Sequence, residues 1–357
     1  MPNIHQATSK TFQLAKQLLL DWEVVAFPTE TVYWLWANAL DTIAVSKIFQ
    51  LKNRPSNNPL IVHLWHKRDI IKYWIISNHI EKKIIEKLMP GPITILLHKK
   101  DNIPDIISSN PFVWIRIPSN QVALKFLQTC DLPIAAPSAN ISTKPSATSA
   151  KMVHQYFGLD IPLIIDWWNC NVGIESTVIK VDENSECIPM SDWDQQTSYK
   201  ITILRPGFVT KEDLEILFAN QKNISVDYSS QQTNISPWNM YRHYSPRAHV
   251  EITDCLSEQL LQSKLNTKIQ WSPHIKLWLI ITQECINSHS KILNQFKDSI
   301  NVFPRWSRNE LITCAQKLFD IYNLCDRLDI NYILIEQLKE IWLWYSIMNR
   351  VKKSTEK

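Results

Sequence analysis

The residues of this chain that could do chemistry gather where apolar runs end. Pro28-Thr29-Glu30-Thr31 follows the run Val24–Phe27. Lys52-Asn53-Arg54-Pro55-Ser56-Asn57-Asn58-Pro59 leads into Leu60–Leu64, which carries His63. Arg116 lies within Val113–Ile117. Pro137-Ser138-Ala139-Asn140 follows Ile134–Ala136, with Lys144 and Ser146 shortly after. Glu175-Ser176 precedes Thr177–Val181, and Arg205-Pro206-Gly207 follows Ile201–Leu204. In open α/β sheets, ligands bind beyond strand ends. Lys, Arg and His placed there, joined by Ser and Thr hydroxyls, suit an anion with several oxygens, such as a nucleoside triphosphate together with a carboxylate. Taken singly, Lys52, Arg54 or Arg116 reads as a solvated charge. His63 alone reads as a core histidine, and Ser138 or Ser176 as a turn or cap residue. The constellation, rather than any member, points to a ligand.

Several familiar chemistries are excluded. No G-x-x-x-x-G-K-[ST] string occurs, so a P-loop is not expected. No H-E-x-x-H or G-x-S-x-G string occurs either. The seven cysteines (130, 170, 187, 255, 285, 314 and 325) contain no C-x-x-C pair. That argues against a disulfide framework or structural zinc, and fits a reducing cytoplasm. A net charge of +4 is too mild to indicate nucleic-acid binding by itself. No apolar run approaches a membrane span, and the N-terminus shows no secretory pattern, so a cytoplasmic protein is expected.

The elements that must position these residues follow from periodicity. Residues 8–20 carry Phe12, Ala15, Leu18 and Leu19 on one helical face. Helices are also predicted at Ile43–Leu51, His79–Leu88, Asn120–Gln128 and Lys211–Phe218. Interleaved with short apolar strands, including Leu163–Ile165, they predict an α/β catalytic domain over 1–218. Residues 219–249 are rich in Ser, Asn and Gln and predict a linker. A second α/β unit is expected over 250–357, with strands Lys276–Thr282 and Tyr332–Glu336, a helix through Leu311–Cys325, and a closing segment Gln337–Val351.

Composition adds an anomaly. The chain of 357 residues has 15 Trp and only 4 Gly, against a usual glycine share of roughly 7%. Many tryptophans sit where turn chemistry asks for glycine: Asp21-Trp22, Asp166-Trp167-Trp168-Asn169, Asp192-Trp193-Asp194, Pro237-Trp238-Asn239 and Arg305-Trp306-Ser307. The contexts predict that most of them stand at glycine positions, as they would if a reassigned stop codon were read as Trp. Trp65, Trp74 and Trp271 have the weakest glycine contexts and are expected to be true tryptophans. Reading glycine at 34 and 36 makes a G-x-G-x-x-A string. It is not a Rossmann fingerprint, because Pro28–Tyr33 separates it from the strand before it.

The ordered set Pro28-Thr-Glu-Thr-Val-Tyr33, Lys52-x-Arg54-Pro55, Pro59-Leu60-x-Val62, Pro90-Gly-Pro-Ile-Thr94, Arg116-x-Pro118, Pro137-Ser-Ala-Asn140, Glu175-Ser-Thr-Val178 and Arg205-Pro-Gly207 closely resembles the YrdC-type L-threonylcarbamoyladenylate synthases. Tyr241-Arg-His-Tyr-Ser-Pro246 and Ile341–Arg350 resemble their long, two-domain form. The resemblance implies a twisted mixed sheet with helices around a concave basic cavity, plus a small Rossmann-like C-terminal α/β domain. It also implies glycine at 34, 36, 114, 167, 168, 238, 342 and 344. The family's usual glycine at 143 is Thr143 here, a departure that the tryptophans do not explain.

The implied activity is a nucleotidyl transfer. L-threonine, bicarbonate and ATP would give threonylcarbamoyl-AMP and pyrophosphate, feeding threonylcarbamoyladenosine formation beside the anticodon of tRNA. By the same resemblance, Thr31, His63, Arg116, Ala136 and Ser176 would hold threonine. Lys52, Arg54, Asn58, Ser138, Ser146, Arg205 and the lid residue Tyr244 would hold ATP, with Lys52 and Arg54 offsetting phosphate charge. Mg²⁺ is expected with the triphosphate and no dedicated metal ligands are assigned. The partners implied are the proteins that pass the threonylcarbamoyl group to tRNA, with no membrane. A rival reading is an RNA-binding YrdC-like module without nucleotidyl transfer, which strong, salt-dependent tRNA affinity would mark.

Overall fold

The structure, a computed structural model, describes residues 3–184, 197–229, 244–253, 258–271, 276–307 and 310–355. Contacts divide the chain into two units, Met1–Ser142 with Ser146–Tyr241, and Thr143–Pro145 with Arg242–Lys357.

The first unit is built on strands β1 (Ile4–Gln6), β2 (Val25–Pro28), β3 (Tyr33–Asn38), β4 (Ile61–His63), β5 (Trp74–Ile75), β6 (Ile93–Lys99), β7 (Phe112–Arg116), β8 (Ile134–Ala136), β9 (Leu163–Asp166), β10 (Thr177–Asn184), β11 (Ser198–Arg205) and β12 (Ile224–Tyr228). They form one mixed sheet in the order β1-β9-β2-β3-β8-β4-β7-β6-β10-β11-β12, with β5 on β6. Its helices are α1 (Ser9–Leu20), α2 (Thr42–Lys52), α3 (Ile70–Tyr73), α4 (His79–Leu88), α5 (Gln121–Cys130), α6 (Ala150–Phe157) and α7 (Lys211–Leu217). Six of them start on side-chain caps. Thr8, Asp41, Asn78, Asn120, Ser149 and Thr210 each accept from backbone N–H groups of the first turn, satisfying donors that a helix start leaves unpaired.

Central strands are covered on both faces, so they read as continuous apolar runs. Every residue of β2 and the first five of β3 are buried. Along β3, Tyr33, Leu35 and Ala37 join the main core. Trp34 and Trp36 take the other face, where Trp36 packs on Phe27 and Phe126 at ring separations of 5.0 and 5.5 Å.

The second unit holds β13 (His249–Thr253), α8 (Glu258–Trp271), β14 (Leu277–Thr282), α9 (Gln283–Ser288), α10 (Ser290–Gln295), β15 (Ile300–Trp306), α11 (Leu311–Arg327), β16 (Tyr332–Glu336) and α12 (Trp342–Thr355). Its four strands are all parallel, in the order β13-β16-β14-β15. Parallel pairing demands helical crossovers, which makes this unit Rossmann-like.

The boundaries expected from composition differ in one place. Within 219–249, Ile224–Tyr228 is a strand paired in parallel with β11 over Tyr199–Ile203. Val226 buries its side chain and Ile224 and Tyr228 pack against the same core, an alternation too short to stand out against the Ser- and Asn-rich background. Tyr241 and His243 lie outside the described residues, as do Cys187, Trp193 and Trp238.

Candidate functional site

Strand register brings the predicted site together. β4 pairs in parallel with β7, setting His63 opposite Arg116. β4 also pairs antiparallel with β8, setting Ile61 opposite Ala136. Both His63 and Arg116 are fully buried. Because β3 continues beside β8, Trp34 bridges to Ser138, which carries the 137–140 turn to the same region.

Arg116 donates from Nη2 to Oε1 of Glu30 at 2.6 Å. Glu30 Oε2 accepts from the backbone N–H groups of Ser119 and Asn120, at 3.1 and 3.3 Å, at the start of α5. The helix N-terminus and the guanidinium together account for this buried carboxylate. Arg116 Nε and Nη1 have no partner. A buried guanidinium with donors to spare can accept an anion as a ligand. Neither ring nitrogen of His63 has a partner. Burial first, and then the Arg116 charge, hold its imidazole well below the usual histidine range, so it is neutral at physiological pH.

The 28–31 turn is folded by its own hydroxyls. Thr29 N donates to Val32 O at 3.1 Å, and the Thr29 and Thr31 hydroxyls are 2.8 Å apart. Between this turn, His63 and Arg116 stands the Trp34 indole. Its Nε1 donates to Thr29 Oγ1 at 3.0 Å. Its ring lies 4.9 Å from the His63 ring and 5.3 Å from the Arg116 guanidinium carbon. Trp36 stacks on the other side of His63 at 5.7 Å. The expected concavity is therefore occupied by indoles at this point. Trp167 and Trp168, in the 166–169 turn, are 40% and 77% exposed, and this turn wraps its backbone around the Tyr33 hydroxyl.

The remaining members form neighbouring clusters. Arg205 donates from Nε and Nη2 to Ser176 O at 3.1 and 2.9 Å, and from Nη2 to Ser176 Oγ at 3.0 Å. Ser176 Oγ also lies 2.7 Å from Thr94 Oγ1. Gly207 permits this closeness, since a Cβ there would meet Thr177 N at 2.2 Å. Ser146 donates to Glu175 Oε1 at 2.5 Å. Arg54 donates to Asn58 Oδ1 at 2.6 Å and to the Asn58 and Pro59 carbonyls. Lys52, buried at the end of α2, donates to the carbonyls of Ser138 and Asn140. Burial, then Arg54, holds its ammonium well below the usual lysine range. Ser138 donates to Asn140 Oδ1 at 2.6 Å.

Tyr244 belongs to the second unit, where its ring stacks on Phe319 at 5.4 Å with the Arg350 guanidinium 5.5 Å away. Residue-type reasoning gave no role to Glu30, Glu175 or Thr94. All three lie inside quoted motifs, but a buried carboxylate between two threonines carries no periodic mark. Only the folded structure shows that Glu30 meets Arg116.

Two family models match the chain. The Sua5/YciO/YrdC model, described as telomere recombination, covers residues 17–189, and the threonylcarbamoyl-AMP synthase C-terminal domain covers 209–355. Threonylcarbamoyl-AMP synthase of Pyrococcus abyssi is 33% identical over 96% of this chain and 93% of its own length. That of Bacillus subtilis is 33% identical over 95% of this chain and 91% of its own. A crystal structure of P. abyssi Sua5 complexed with L-threonine superposes with a TM-score of 0.80 at 30% identity, covering 99% of this chain and 96% of that one.

Proposed function

The chain belongs to the threonylcarbamoyl-AMP synthase family, and on that premise we propose that it is an enzyme of nucleotidyl transfer. It condenses L-threonine, bicarbonate and ATP into threonylcarbamoyl-AMP and pyrophosphate, and the product serves tRNA modification. The observation that carries this reading is Arg116, a buried guanidinium with two donor nitrogens unpartnered beside a neutral imidazole. It suits the carboxylate of an amino acid better than a polyanionic backbone.

The reaction needs no covalent nucleophile. Bicarbonate loses hydroxide, released as water, to give CO₂; the threonine amine adds to its carbon and gives up one proton, leaving a carbamate. The carbamate oxygen then attacks the α-phosphorus of ATP, and the bond to the β-phosphate oxygen breaks to release pyrophosphate. Catalysis is then positioning, charge neutralisation and exclusion of water. Arg116 holds the threonine carboxylate, with Thr31, His63, Ala136 and Ser176 shaping the pocket around it. Neutral His63 adds no second charge that would hold the amine away. Lys52, Arg54 and Arg205 offset phosphate charge, with Asn58, Ser138 and Ser146 as hydrogen-bonding partners.

Among the described residues, no three His, Cys, Asp or Glu side chains are grouped to hold a metal ion. The buried carboxylates Glu30 and Glu175 are already bonded to Arg116 and Ser146. We propose that Mg²⁺ enters with the triphosphate, as part of the substrate. Also among the described residues, no helix is long and apolar enough to cross a membrane. We place the enzyme in the cytoplasm, handing its product to the proteins that transfer the threonylcarbamoyl group to tRNA.

The test is pyrophosphate release measured with each of ATP, threonine and bicarbonate omitted in turn, on protein with glycine at positions 34 and 36. Release that requires all three supports the reading, and release indifferent to threonine rejects it. Strong, salt-dependent tRNA binding without turnover would instead favour the RNA-binding module.

A further inference from the structure

We infer that the protein made by its own host carries glycine at positions 22, 34, 36, 168 and 342, while position 65 is a true tryptophan. Three of these positions have left-handed backbone, with φ of 63° at Trp22, 60° at Trp168 and 52° at Trp342. This region suits glycine, and short polar residues such as Asn and Asp tolerate it. Among the described residues, eight non-glycine positions have positive φ. Asn53, Asp131 and Asp329 belong to the tolerant types. Of the other five, three are tryptophans.

The surroundings of these positions point the same way. Trp22 follows the C-cap residue Asp21 of α1, and Glu23 N donates to Leu18 O at 2.8 Å. That bond is the long closure of a Schellman motif, whose left-handed residue is usually glycine. Trp22, Trp168 and Trp342 leave 52%, 77% and 51% of their surface exposed, so packing supplies no counterweight to the conformation. Trp34 and Trp36 present the opposite case. They are 1% and 0% exposed; Trp34 occupies the space between Thr29, His63 and Arg116, Trp36 stacks on His63, and His63 and Arg116 keep unpartnered polar atoms. Glycine on β3 exposes those atoms to a ligand.

Trp65 is the contrast. Its indole N–H donates to Asp131 at 3.0 Å, and the Arg68 guanidinium lies 5.2 Å from its ring. Both contacts use a ring and a side-chain donor that glycine lacks.

The inference rests on backbone conformation and packing for 22, 168 and 342, and at 34 and 36 also on the ligand site proposed above. Its test is independent of turnover. Protein purified from the native host is digested with trypsin, and the fragments 17–47, 53–67, 152–180 and 340–350 are sequenced by mass spectrometry. The expected result is glycine at 22, 34, 36, 168 and 342 with tryptophan at 65. Tryptophan at any of the five, or glycine at 65, overturns the assignment. Failure of the pyrophosphate assay with these glycines confirmed would reject the proposed reaction and leave the decoding intact.

Discussion

Glu30 reaches Arg116 through one contact, Nη2 to Oε1 at 2.6 Å, with both side chains buried. The pair joins the β2–β3 turn to the end of β7 and to the start of α5. Removing one member of a buried pair strands the other, at a cost of about 3–5 kcal/mol. Glu30→Ala is therefore expected to lower stability by about that much, read as a lower urea midpoint at unchanged slope. An unchanged midpoint would show that the pair contributes nothing.

Arg116→Lys keeps a positive charge but loses the planar set of donors. If the free nitrogens of Arg116 hold the threonine carboxylate, this variant loses a charged hydrogen bond worth roughly 1.5–3 kcal/mol. The expected outcome is a threonine KM raised about 10- to 100-fold with the ATP KM little changed. Equal rises for both substrates would mean that Arg116 acts only through the fold.

His63 makes a pH prediction. Its folded pKa is depressed, by burial first and by Arg116 second, while the unfolded value is about 6.5. The unfolded chain thus binds the proton first as pH falls. The stability linked to His63 is complete above about pH 6.5 and is lost below it. Urea midpoints measured between about pH 7 and pH 5 are expected to fall more steeply for the parent protein than for His63→Asn. Parallel profiles would reject the assignment.

Much of the frame was legible because its signals are local. The helix His79–Leu88 has the bounds that its periodicity suggests, and Ile134–Ala136 is a strand as its apolar run indicates. Strand β3 was not legible. Tyr33-Trp-Leu-Trp-Ala-Asn38 is apolar on both faces, so it shows no alternation. It also follows a polar turn that reads as a loop. The pairing of Glu30 with Arg116 was invisible for a different reason. It depends on a tertiary contact between residues 86 apart in the chain, which no local pattern encodes. The ligand-facing residues could be picked out by type and motif, but their partners required the sheet.

Trp22, Trp168 and Trp342 supply a stability test. Left-handed backbone costs a non-glycine residue roughly 1–2 kcal/mol, and these side chains are half exposed or more, so little packing is lost with them. Each of Trp22→Gly, Trp168→Gly and Trp342→Gly is expected to raise the melting temperature. Trp74→Gly is the opposing control. Trp74 is 1% exposed in extended backbone, and deleting so large a buried side chain costs about 3–5 kcal/mol. A fall in melting temperature for all four would contradict the left-handed argument.

The last prediction concerns the filled site. Trp34 and Trp36 flank His63 at ring separations of 4.9 and 5.7 Å, and Trp34 lies against Arg116 and Thr29. Threonine cannot reach Arg116 Nε or Nη1 while the indole holds that space, because a packed interior yields little volume without cost. The double variant Trp34→Gly/Trp36→Gly exchanges two large rings for backbone alone, leaving His63, Arg116 and the Thr29–Thr31 turn to line the opening. Threonine-dependent pyrophosphate release is expected from the glycine version and only background release from the tryptophan version. Titration calorimetry with L-threonine provides a second readout, with heat of binding from the glycine version alone. Equal activity and equal binding in the two versions would mean that the indoles do not block the site.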